Sequence, residues 1–121
     1  FVIFTNDRLF PTFLVEEPPV VAPFCVLAVS CTVLPGTRLG VHVVAGAGSE
    51  ISGNVASFSF LKGSPAERVI DARKMIQKVD GKPVKPYPWL RHLDRDYPWK
   101  DVPPDERRVE DFVPPEWRAY L

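Results

Sequence analysis

Tyr87-Pro88-Trp89-Leu90-Arg91 and, six residues on, Tyr97-Pro98-Trp99 restrict this chain more than any other stretch. Each proline holds φ near about −65° and removes an N–H, so neither Tyr-Pro step fits inside a helix or a central strand. The backbone is expected to run extended there. An extended segment with four large rings has nothing of its own to bury them against, so they must lie on another surface, this chain's core or a partner's. The pattern reads as a strap and not as a catalytic pocket.

At 121 residues the chain is one domain at most, with a modest core. Fifteen basic and fifteen acidic residues cancel, which gives no electrostatic reason to expect nucleic acid or an acidic membrane surface as the main partner. Charge is nevertheless unevenly placed. Up to Leu61 the only cations are Arg8 and Arg38 and the only anions Asp7, Glu16, Glu17 and Glu50; every other charge lies from Lys62 onward. Of fourteen prolines, eight fall between Pro83 and Pro115, a density that rarely builds its own layered core. The chain opens on Phe1 and has one methionine, Met75, as expected of a processed or incomplete product. Phe1 to Phe4 lacks the basic start, long apolar run and small-residue cleavage site of a secretory signal. The expected organisation is a leader (1–17), an apolar segment (18–61), an amphipathic helix (62–81) and a tail rich in proline and aromatics (82–121).

The apolar segment contains a run without charge from Pro18 to Thr37, centred on Val20 to Leu34. About twenty uncharged residues are the minimum for a membrane-spanning helix. Pro18-Pro19 suits a helix start and Pro35-Gly36 its end, which puts a single span at about residues 19–36. The other reading is a buried strand pair turning at Pro35-Gly36, with Leu39 to Ala45 as the return strand, within a small α+β domain whose buried strands cover 20–61. Periodicity does not choose between them. Further on, Ser64-Pro65-Ala66-Glu67 has the form of a capping box, and Val69, Ala72, Ile76 and Val79 follow at spacings of three and four. These predict an amphipathic helix over about 65–79, closed by Asp80-Gly81. After Lys82 no period survives, and the tail is expected to be extended, with a turn or short helix at Pro104 to Glu110. The expected class is mostly irregular and α-helical.

Catalytic candidates are few. His42 and His92 are the only histidines, and His42 stands among apolar residues, where a core role outweighs a chemical one. Gly46-Ala47-Gly48 lacks the third glycine of a dinucleotide loop. Cys25 and Cys31 match no zinc or redox spacing and read as small buried residues. Asp94, Asp96 and Asp101 interleave with Arg91, Arg95 and Lys100, as in a solvated lattice of ion pairs, and the same aspartates would repel the phosphates of a single-stranded nucleic acid. No catalytic, cofactor-binding or metal residue is assigned.

The fifteen residues from Tyr87 to Asp101 resemble, without a gap, the signature of mitochondrial cytochrome c oxidase subunit VIa. Tyr87, Pro88, Leu90, Arg91, Arg95, Tyr97, Pro98, Trp99 and Asp101 occupy its matching places. The family's membrane helix, however, comes shortly before the motif, whereas about fifty residues intervene here, and its Gly-Asp-Gly is replaced by Lys100-Asp101-Val102. The resemblance implies a non-catalytic accessory subunit of a respiratory-chain complex in the mitochondrial inner membrane. Such a subunit has one transmembrane helix and a segment lying on neighbouring subunits. Its partners would be other protein subunits, with membrane lipid as a second contact and neither nucleic acid nor a small-molecule substrate. Tyr87, Trp89, Arg91, Tyr97, Trp99, Phe112 and Trp117 are the expected partner-binding residues, because buried aromatic and arginine anchors dominate interfaces. Two other classes stand beside this one: a protein interaction module or assembly component without a membrane span, and a small enzyme whose site is scattered through the sequence.

Overall fold

The computed structural model describes residues 1–5, 17–84, 98–103 and 106–121. Among the described residues of the first half are nine short strands: β1 (Val2–Phe4), β2 (Val20–Val21), β3 (Val26–Leu27), β4 (Cys31–Val33), β5 (Arg38–Leu39), β6 (Val44–Ala45), β7 (Glu50–Ile51), β8 (Asn54–Val55) and β9 (Ser59–Lys62). Each pairs in parallel, and never with the strand before or after it within this set. β1, β4 and β7 form one sheet, β2, β5 and β8 a second, and β3, β6 and β9 a third. Val20 lies beside Arg38, Val26 beside Val44 and Thr32 beside Glu50, eighteen residues apart in each case. In the next turn Arg38 lies beside Asn54 and Val44 beside Phe60, sixteen apart. Three strands thus pass before the chain returns to the same sheet one layer on. The protein is a three-sided parallel β-helix.

The sequence forms this coil because its apolar residues recur every sixth position. Val21, Leu27, Val33, Leu39, Ala45 and Ile51 all belong to one interior cluster, which Val55 and Leu61 continue. Two positions before Leu27, Val33, Leu39, Ala45 and Ile51 stand small or branched residues: Cys25, Cys31, Thr37, Val43 and Ser49. Their side chains fit beneath the neighbouring layer. Cys25 Sγ donates to the Gly40 carbonyl at 3.1 Å, Cys31 Sγ to that of Gly46 at 3.3 Å, and Thr37 Oγ1 to that of Ile51 at 3.3 Å. Corners recur with the same step. Phe24, Ser30, Gly36, His42 and Gly48 all have positive φ, between 55° and 72°. Such residues cannot belong to a right-handed helix, so the chain bends through about a third of a turn at each.

This geometry corrects several expectations. Residues 19–36 do not form a helix but β2, β3 and β4 with the corners between them, and no helix among the described residues is long and apolar enough to cross a membrane. Nor do the strands reverse at Pro35-Gly36. That turn passes the chain to the next face of the prism, and Leu39 runs parallel to Val21. The helix over 65–79 is absent as well. In its place are β10 (Glu67–Asp71), a single 3-10 turn at Ala72–Lys74, and β11 (Gln77–Val79). Of its apolar stripe only Ala72 is buried, while Val69, Ile76 and Val79 are exposed. β9 offers an unpaired edge, and β10 fills it with antiparallel ladder bonds that a helix in that place would leave unmade. Asp80-Gly81 ends no helix. With φ of 50° and 75° it is the two-residue turn between β11 and β12 (Lys82–Val84). The described part of the tail is not simply extended, since it contains 3-10 turns at Val109–Phe112 and Pro115–Tyr120. The chain is therefore mostly β, not mostly α.

Candidate functional site

Three equivalent corners carry the largest side chains on the outside of the coil. Phe24, His42 and Phe58 occupy the same corner in successive layers, each with positive φ. Their rings stack: Phe24 and His42 are 4.8 Å apart between centroids, and His42 and Phe58 5.5 Å, with planes 21° and 11° from parallel. The Arg73 guanidinium extends the column, 4.2 Å above the Phe58 ring. A non-glycine residue at positive φ costs on the order of 1 kcal/mol, and the continuous stack offsets that at all three corners.

The end of the chain covers this column. Trp99 is fully buried and joins Ala22, Val41, Phe58, Ala72 and Val113 in a second core outside the prism. Its indole lies 5.4 Å from the Phe24 ring and 5.5 Å from that of Phe112. Phe112 and Trp117 pack partly buried against the same cluster. Trp99, expected to find shelter on a neighbouring polypeptide, is sheltered by its own chain. Tyr87, Trp89, Arg91 and Tyr97 lie outside the described residues, as does His92.

Beside the column is an open cavity of about 380 Å³ bounded by Ala56, Ser57, Phe58, Arg73, Glu110 and Tyr120. Its charges are paired. Arg73 holds Asp71 through Nη2 at 2.6 Å and Glu110 through Nη1 at 2.8 Å. The hydrogen bond from Arg73 brings the Asp71 carboxyl down to about 2, well below the usual carboxylate range. Burial, the largest single influence, would raise the Glu110 carboxyl, but the bond from Arg73, a backbone bond and the charges of Arg73 and Arg108 together outweigh it and keep the group below its ordinary value. Ser57 Oγ accepts from the Val41 N–H at 3.0 Å and donates to the Tyr120 carbonyl. Elsewhere, burial pushes the Cys25 thiol up to about 11, which keeps it protonated at neutral pH. No group of three or more His, Cys, Asp or Glu among the described residues is placed to hold a metal ion.

A second feature is the end of the prism at β1, β2 and β3, which no strand among the described residues covers. The interior row is fully buried in the middle layer at Val33, Leu39 and Ala45, yet Val21 and Leu27 in the first layer are only half-buried. In β1 Ile3 is 44% exposed and Phe4 54%. Among the described residues, β1, β2 and β3 each have a strand on one side only. At the opposite end β10 pairs with β9 and residues 63–66 bond to β7, where Glu50 donates its N–H to the Gly63 carbonyl and Ala66 donates to that of Glu50, whereas β8 ends its sheet. Sequence reasoning missed this feature. The signal that finds it is the six-residue step from Val21 to Ile51, which tells how many layers there are and which is outermost.

No family model matches the chain, and no curated protein does. Among solved structures the chain is similar to a truncated serine acetyltransferase apoenzyme, at 20% identity over 49% of this chain and 25% of that one, with a TM-score of 0.45. It is also similar to a serine acetyltransferase in complex with cysteine, at 16% identity over 61% and 26%, with a TM-score of 0.47. The chain spans about a quarter of the length of either. The fold rests on the registers described above. The expected respiratory-chain accessory subunit and its inner-membrane location depended on a spanning helix at 19–36, and strands at those residues overturn both.

Proposed function

We propose that this chain is a non-catalytic assembly unit, a β-helical block that joins another polypeptide through the open end of its first layer. The observation that carries this reading is the contrast along one interior row: among the described residues, Leu39 and Ala45 are sealed by layers on both sides, while Val21, Leu27 and Phe4 have a layer on one side only. A stacked repeat is stable when each layer is covered, so an apolar end layer calls for a cap. The registers favour one kind of occupant. It is a coil from another polypeptide, running parallel to β1, β2 and β3, with an inward apolar residue at every sixth position. Its bonds would be backbone to backbone, with the apolar row supplying the driving force.

The non-catalytic part of the reading is supported by the state of the ionisable groups. Asp71 and Glu110 are both held as carboxylates by Arg73, which makes them weak bases near neutral pH. Cys25 is held as a thiol, the less nucleophilic form.

A photoreactive benzoylphenylalanine in place of Phe4, in the protein recovered from its native source under mild conditions, tests the reading. The expected product is an adduct with a second polypeptide, mapped by peptide sequencing to a segment with apolar residues six apart. Adducts confined to the chain itself, or mapped to a segment without that step, would overturn it.

A further inference from the structure

We infer that the terminal strap, residues 98–103 and 106–121, is a detachable cover that opens as a unit while the β-helix beneath it stays folded. The two parts are held by different forces. Layers of the prism are joined by strand ladders and by further backbone bonds around the corners, such as His42 N–H to Pro23 and Phe58 N–H to Val41. Five backbone bonds of the strap close turns within it: Val102 to Trp99, Glu106 to Pro103, Asp111 to Arg108, Trp117 to Pro114 and Leu121 to Arg118. Strap and coil meet through side chains. Trp99 and Val113 are inserted into the outer core, Glu110 is clasped by Arg73, and Ser57 Oγ donates to the Tyr120 carbonyl.

A segment attached in this way is released by withdrawing a few side chains, and no ladder of the coil has to break. The interior row of the prism, which holds the coil together, is a separate cluster from the one the strap fills. Opening bares the column of Phe24, His42 and Phe58, because Trp99 is the ring that lies on it. The strap thus guards an aromatic surface distinct from the open end of the first layer.

Native-state hydrogen exchange on the full chain, read by mass spectrometry, tests this. In the Trp99→Ala variant the strap amides of Val113 and Trp117 are expected to exchange about a hundredfold faster, while amides in β4, β5 and β6 keep their original rates. The same variant should gain binding of a hydrophobic dye. Glu110→Gln, which removes only the exposed ion pair, should speed strap exchange about two- to fivefold and leave the coil unchanged. Joint acceleration of strap and coil amides in Trp99→Ala would overturn the inference, and so would strap amides that exchange at the original rate.

Discussion

At the scale of single residues, close approach decides more than hydrophobicity does. Gly40 stands where the outer corner of one layer touches the next, and a Cβ placed there would lie 2.5 Å from both the backbone nitrogen and the Oγ of Ser57. A backbone atom cannot step aside without moving the layer. Gly40→Ala is therefore expected to destabilise the protein by about 2 kcal/mol or more, seen as a lower thermal midpoint, whereas Gly48→Ala meets open space and pays only for its positive φ. Asp71 sets an acid limit. Its carboxyl is depressed from 3.8 to about 2 by Arg73, so its stabilisation is fully present above about pH 4 and is lost as pH falls through about 2. Asp71→Asn should lower stability at neutral pH and flatten the fall between about pH 4 and 2, measured by denaturant melts across that range. His42 was legible as a residue in an apolar setting. That it would stack between two phenylalanines from other layers was not, because its partners lie eighteen and sixteen positions away.

Among the elements, each strand has only two to five residues, too few to show the alternation by which strands are usually recognised. Val26-Leu27 or Arg38-Leu39 alone predicts nothing. Tested against periods of two and 3.6, the run from Pro18 to Thr37 satisfies neither, and its lack of charge then resembles a membrane span. The relevant period is six, the length of one face with its corner. The 65–79 segment failed in the other direction: a helical stripe and a capping pattern are present, but the vacant edge of β9 outweighs local propensity. Position within the stack also sets the cost of a cavity. Leu39→Ala, in the sealed middle layer, is expected to cost about 3 kcal/mol, and Leu27→Ala, in the half-open first layer, about half as much. Comparing the two by chemical denaturation checks the layer assignment directly, and a bound coil on the first layer should bring the two costs together.

For the molecule as a whole, the described stack has one end partly covered, one end open and a guarded corner. Residues 63–66 and β10 cover β7 and β9 at one end, the open end is where a partner coil is proposed to dock, and the corner is covered by the strap. The sequence by itself determined the interior of the coil, since apolar residues at a six-residue step with small residues two places before them can all be buried together only if the chain turns after every face. It also determined that the terminal rings need shelter, because proline keeps them out of regular elements. Which surface shelters Trp99, which strand takes the edge of β9, and which layer is left uncovered were decided only in the tertiary structure. Each depends on backbone groups and rings brought together from distant positions, and no local pattern encodes whether such a neighbour is present.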